Sequence, residues 1–196
     1  PWGELEMHKQ HFLCLPEEIK MRILTAVVGG LRGTQYRPRY KLIKSLLQKM
    51  SKNVAWLRVT TCGLKVTEKS KLFLFQREIS AISEIVDIAN LTRHNLPEKK
   101  IMKTENTFAW DNRWVISIKS NQNYSTAKIG IVTSKATLKG LRKGNSSIKY
   151  YTAAGLPAIF FKGKLVALAG LLPNEQISFS VLYSKETFVK RLENGQ

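Results

Sequence analysis

Between Leu42 and Phe75 the hydrophobic period of the chain changes, and that change limits the fold to helices combined with antiparallel strands. The stretch YRPRYKLIKSLLQKM, Tyr36 to Met50, sets Leu42, Ile43, Leu46, Leu47 and Met50 on one helical stripe. Lys41, Lys44, Lys49 and Lys52 fall on the opposite side, with Gln48 among them. Further on, Leu64 and Val66 alternate with Lys65 and Thr67, a polar turn runs from Glu68 to Lys71, and Leu72 to Phe75 form a second short run. Two apolar runs around a polar turn predict a β-hairpin.

Upstream, LPEEIKMRILTAVVGG predicts a helix with both ends marked. Pro16 suits a first turn, and Glu17 and Glu18 favour the positive end of the dipole. Ile19, Ile23, Ala26 and Val27 recur at helical spacing, and Gly29-Gly30 reads as the stop. Pro38 can start the following helix, so two antiparallel helices meet across a turn that carries Arg32, Arg37 and Arg39. ISAISEIVDIAN, Ile79 to Asn90, places Ile79, Ile82, Ile85, Val86 and Ala89 on one face of an expected third helix.

LTRHNLPEKKIMKT, Leu91 to Thr104, is polar and aperiodic and reads as a linker. Beyond it TFAWDNRWVISI predicts a hairpin turning at Asp111-Asn112-Arg113, and Ile129 to Val132 a short strand. Ser134 is placed to cap a short helix, SKATLKGLRKG. LPAIFFKGKLVALAGL predicts a hairpin turning at Lys162-Gly163-Lys164, Ile177 to Tyr183 a last strand, and Glu186 to Glu193 a frayed helix. The expected class is α+β: residues 1–90 a mainly helical module with a helical hairpin and a β-hairpin, 91–104 a linker, and 105–196 a smaller, strand-rich mixed α/β module.

Charge narrows the function. Thirty-two Lys and Arg stand against 14 Asp and Glu, a net charge of +18. The cations are spread along the chain and not gathered in a tail, so they belong to folded surface. Such an excess repels itself unless an anionic partner relieves it, and nucleic acid is the commonest such partner. No apolar run approaches the roughly 18 residues of a membrane span. Two distant cysteines, Cys14 and Cys62, make no disulfide framework, so a reducing cytoplasm is the expected compartment. The opening PWGELEMHKQHF has no secretory signal and no initiator Met, which points to a fragment or a processed product.

Catalytic chemistry is not legible. His8, His11 and Cys14 are ligand-type residues at spacing three, with Cys62 a candidate fourth. On a helix, positions i and i+6 diverge by about 120°, so one face does not hold all three. Buried thiols and surface histidines are the expectation, with no metal. GLRKGNSS, Gly140 to Ser147, departs from a phosphate loop in spacing and has Asn145 where the lysine belongs. No Ser or Cys lies in a nucleophile context, and no carboxylates pair for acid–base work. Trp110 and Trp114 flank the Asp-Asn-Arg turn; strand packing is the favoured reading, base stacking beside Arg113 the other. Tyr36 and Tyr40 bracket Arg-Pro-Arg, and contact with sugars or bases and packing on the helices are equally open.

The order of these motifs resembles the C-terminal half of the tRNA(Ile)-lysidine synthetases. The likeness rests on LPEEIKMRIL…GGL…YRPRYKLIKSLL, then TTCGLKVTEKSKLFLFQRE, then FAWDNRW, and last LPAIFFKGKLVALAGL, from about Gly3 to Leu171. Ala169 stands where relatives often have proline, and Ser120 to Ala127 matches the family poorly. The resemblance implies a larger enzyme that adenylates the wobble cytidine of an isoleucine tRNA and then attaches lysine. ATP, with Mg, would serve as cofactor in an N-terminal domain with a Ser-Gly-Gly-x-Asp-Ser loop. This sequence contains no such loop. It implies a tRNA-positioning role for this chain, without catalytic residues of its own. The implied partners are the isoleucine tRNA with a cytidine wobble base and the catalytic domain, with no membrane; a homodimer is compatible with the sequence.

The expected RNA contacts are Arg32, Arg37, Arg39, Lys41 and Lys44 on the helix hairpin and Lys135, Lys139, Arg142 and Lys143 on the short helix. Such contacts fix register on phosphates without reading sequence. The alternative from another class is a basic adaptor that docks an acidic protein or a membrane surface.

Overall fold

The structure, a computed structural model, describes residues 4–33, 36–52, 57–82, 85–88, 107–111, 113–119, 126–143 and 148–181. Among these are five α-helices and eleven strands in three sheets, all paired antiparallel, which is a mixed α+β architecture. The described chain divides into one unit running to Ala81 and a second from Ile82. The linker expected at 91–104 and the helix expected at 186–193 lie outside the described residues.

In the first unit, α1 (Lys9–Leu13), α2 (Glu17–Arg32) and α3 (Tyr40–Ser51) accompany a four-stranded sheet in the order β1-β4-β3-β2. Those strands are β1 (Glu4–His8), β2 (Arg58–Thr61), β3 (Leu64–Lys69) and β4 (Leu72–Arg77). The expected hairpin is β3–β4, with Val66 opposite Phe75. β1 and β2 enlarge it. ELEMH alternates, and its Leu5 and Met7 lie opposite Phe75 and Phe73. Those phenylalanines join Phe12, Leu24, Val27, Val28, Ile43, Leu46, Leu47, Met50, Leu57, Leu64 and Val66 in one buried cluster, on which Leu5 and Met7 pack.

Helix α2 passes through the expected stop. Gly29 and Gly30 stay helical, and the end comes at Gly33, in the left-handed conformation at φ 63°, whose N–H reaches the carbonyls of Gly29 and Gly30. A glycine adopts that conformation without the Cβ penalty other residues meet. Gly63 does similar work in the β2–β3 turn at φ 69°. Its carbonyl accepts from Arg77 Nη1 at 2.9 Å and from the Glu78 N–H at 2.9 Å, while Arg77 Nη2 reaches the Ala81 carbonyl at 2.8 Å. The Arg-Glu pair that ends the hairpin motif thus pins the turn at its far end.

The third helix expected over Ile79–Asn90 does not form where the chain is described. Ile79–Ala81 make one 3₁₀ turn, and Val86–Asp87 are a short strand, β5. The apolar positions there are almost all isoleucine and valine, whose branched Cβ suits a pleated surface better than a helix. Pairing decides it: Val86 lies opposite Ile129 and Asp87 opposite Lys128, with Lys128 Nζ 3.6 Å from Asp87 Oδ1.

The second unit holds two sheets. One has the order β10-β9-β8-β5, with β8 (Ala127–Gly130), β9 (Ala158–Phe161) and β10 (Lys164–Leu168). The other has the order β11-β7-β6, with β6 (Thr107–Trp110), β7 (Trp114–Ile118) and β11 (Ile177–Val181). Two helices, α4 (Lys135–Arg142) and α5 (Tyr150–Ala154), lie between β8 and β9 in sequence. Ser134 caps α4 as expected, its Oγ accepting from the Thr137 N–H at 3.3 Å. β6 and β7 pair on either side of the expected Asp111-Asn112-Arg113 turn, of which Asn112 lies outside the described residues, and Lys162 and Gly163 stand in the expected turn between β9 and β10.

Candidate nucleic-acid interface

Helix α3 has two faces of opposite character. Ile43, Leu46, Leu47 and Met50 are buried. Lys41, Lys44, Gln48, Lys49 and Lys52 are exposed. At 100° per residue, positions 41, 44, 48 and 52 form one stripe, with Lys49 beside it. Among the described residues no carboxylate pairs with Lys41, Lys44, Lys49 or Lys52; acids do pair with Lys9, Arg22, Arg113 and Lys128. Leu42, expected on the apolar stripe, is 43% exposed, because it sits at the margin of the buried arc. Ile19 on α2 departs in the same way.

The start of α3 concentrates this charge. Arg39 is the N-cap residue, with no side-chain cap bond and no acid in the first turn. Arg37 and Arg39 are exposed, and so are Tyr36 and Tyr40 beside them. Lys44 Nζ lies 5.8 Å from the Tyr40 ring centroid, one turn along the helix. Arg32 differs: it is half-buried in the last turn of α2, where a cation also favours the carbonyl end of the dipole. The structure therefore brings Arg37, Arg39, Lys41 and Lys44 together at one helix start, with Arg32 nearer the fold's interior.

The second group lies on α4. Lys135, Lys139, Arg142 and Lys143 follow at i, i+4, i+7 and i+8, so they share one side of the helix and its end, while Leu138 is the residue it buries. Lys135, Lys139 and Lys143 are exposed. Arg142 is half-buried, and its Nε donates to the Ile148 carbonyl at 2.6 Å, so one of its five donors serves the fold.

The sequence reading leaves Lys49 and Lys52 out of the candidate interface, although both are exposed on or beside the same stripe. The Trp110–Trp114 pair resolves as packing. The two residues face each other across the β6–β7 hairpin and are 2% and 3% exposed. Arg113 is buried beside them, its Nε donating to Asp111 Oδ2 at 2.6 Å. His8 and His11 stack with ring centroids 4.7 Å apart, and the thiols, expected to be buried, are not: Cys14 is exposed and Cys62 half-buried. Among the described residues no three His, Cys, Asp or Glu side chains gather in a way that would hold a metal. No described helix is long and apolar enough to cross a membrane.

Fold and charge together define a basic α+β chain that presents two exposed cationic helix faces, one in each unit. Three curated tRNA(Ile)-lysidine synthases are similar to it. That of Wolbachia pipientis wMel is 28% identical over 159 residues, 81% of this chain and 32% of the relative. That of the Wolbachia of Brugia malayi is 28% identical over 170 residues, 84% of this chain and 35% of the relative. That of Anaplasma marginale is 26% identical over 129 residues, 65% and 25% respectively. The resemblance carried by the motifs is thus a measured similarity to tRNA(Ile)-lysidine synthases. No family model matches the chain. The chain spans about a quarter to a third of the length of these curated relatives.

Proposed function

We propose that this chain is the tRNA-positioning part of a tRNA(Ile)-lysidine synthase, the enzyme that ligates lysine to the wobble cytidine of an isoleucine tRNA with ATP. The observation that carries the reading is the similarity to three such synthases in a chain whose α3 lysines have no acidic partner among the described residues. Arg37, Arg39, Lys41 and Lys44 bind phosphates from one unit, and Lys135, Lys139 and Lys143 from the other. Arg32 and Arg142 lend part of their charge while serving the fold. Contacts of this kind hold a stem by backbone and shape, and leave the reading of bases to other groups. In this reading ATP and Mg serve a catalytic domain of the whole enzyme, and this chain is its tRNA-holding partner.

The test is charge reversal. R37E/R39E should weaken binding of isoleucine tRNA by at least tenfold at low salt while leaving the melting temperature unchanged, since both side chains are exposed. Unchanged tRNA affinity in that variant would remove the α3 interface from the account.

A further inference from the structure

Tyr36, Tyr40 and Leu42 are 85%, 64% and 43% exposed, half of the six large hydrophobic side chains that stand well out in solvent among the described residues. They fall within seven residues of chain, interleaved with Arg37, Arg39 and Lys41. A surface that only grips duplex phosphates needs cations. Paired stems hide the faces of their bases, so exposed rings beside those cations add little to a backbone contact. Rings presented in a cationic run are the composition of a surface that stacks unpaired bases. Lys44 holds its ammonium over one face of the Tyr40 ring, 5.8 Å from the centre, so a base stacked on the other face would have a cation near its phosphate.

We propose that the segment from Tyr36 to Lys44 takes an unpaired stretch of RNA, with a base stacked on a tyrosine ring and the flanking phosphates on Arg37, Arg39, Lys41 and Lys44. This rests on the RNA-binding reading above and narrows its ligand, from any RNA backbone to one that carries an unstacked nucleotide. It also gives Tyr36 and Tyr40 a role that phosphate gripping does not require.

The experiment compares a blunt RNA duplex of about 12 base pairs with the same duplex carrying a 3′ overhang of about four nucleotides, both titrated with the 196-residue chain by fluorescence anisotropy. The chain should bind the overhang RNA about tenfold more tightly than the blunt one. Y36A/Y40A should lose that preference and leave blunt-duplex affinity as it was, while Y36F/Y40F, which keeps the rings, should retain it. A 2-aminopurine base in the overhang should be quenched by the wild-type chain and not by the alanine variant. Equal binding of the two RNAs by the wild-type chain, or equal loss on both in Y36A/Y40A, would overturn the proposal. If neither RNA binds, the RNA reading itself falls with it. Salt-sensitive binding of the blunt duplex with no overhang preference sinks only the stacking site. Preference for phosphatidylserine–phosphatidylcholine vesicles over both RNAs would transfer the exposed tyrosines to a lipid surface and overturn both.

Discussion

Two five-residue segments of this chain are near-anagrams in chemistry and opposites in structure. Tyr36-Arg37-Pro38-Arg39-Tyr40 and Trp110-Asp111-Asn112-Arg113-Trp114 each enclose arginine between aromatic ends. The first stands in solvent at the start of α3; the second has both its tryptophans, Asp111 and Arg113 buried in the β6–β7 hairpin. The difference lies in what each arginine is offered. Asp111 sits two residues from Arg113 and neutralises it inside the fold at 2.6 Å, so the tryptophans can pack around a compensated charge. The first segment has no acid of its own, and burial of its guanidinium groups would leave them without a carboxylate from within the segment. The same aromatic–arginine outline thus occurs once buried and once exposed in this chain, and only the buried copy holds an acid of its own.

The largest effects should come from breaking the inward segment. D111A leaves the Arg113 charge buried without its carboxylate and should destabilise the second unit by about 3–5 kcal/mol in chemical denaturation. D111A/R113M removes the charge as well and should recover much of that loss. W114A should be comparably severe, about 3–5 kcal/mol, from the cavity it leaves. Y40A, the matching change in the outward segment, should stay within about 0.5 kcal/mol of the wild-type stability, as exposed positions do. A Y40A variant as destabilised as W114A would erase the contrast. The smallest effect among the destabilising changes is at α4: S134A removes the Oγ that caps the helix and should lower stability by about 1 kcal/mol, measured in the same denaturation series.

Much of the fold could be read from periodicity and punctuation. The stripe from Ile43 to Met50, the alternation around Leu64 and Val66, the glycine turn at Gly163 and the serine cap at Ser134 each state a local preference that the packing then uses. Three elements depart from the sequence reading, each for its own physical reason. β5 was legible as a helix because Ile82, Ile85 and Val86 satisfy a helical spacing; only the partner strand, with Ile129 and Lys128 in register, turns it into a strand. β1 is only five residues long and offers Leu5 and Met7 as its alternating pair; pairing with β4, Leu5 opposite Phe75 and Met7 opposite Phe73, makes it a strand. The helix stop moved from Gly29-Gly30 to Gly33 because a glycine pair inside a well-packed helix is tolerated, while the left-handed residue does the ending. In the candidate interface, the expected cations are exposed except Arg32 and Arg142, which are half-buried. What charge did not disclose is that Arg142 is partly committed to the Ile148 carbonyl, a bond between residues six apart that no spacing rule flags.

The hold of the outward segment and its helix on tRNA phosphates is tested most directly by a salt titration of binding by the 196-residue chain and by R37E/R39E. The ligands are the isoleucine tRNA with a cytidine wobble base, a methionine tRNA and heparin. The chain should bind tRNA more tightly than heparin, with a steep fall in affinity with salt. The variant's log–log slope should be lower by about two units, one for each phosphate that an arginine no longer neutralises. Equal affinity for all three polyanions, with the same slope in both proteins, would contradict that hold and leave a basic surface without an RNA-positioning role.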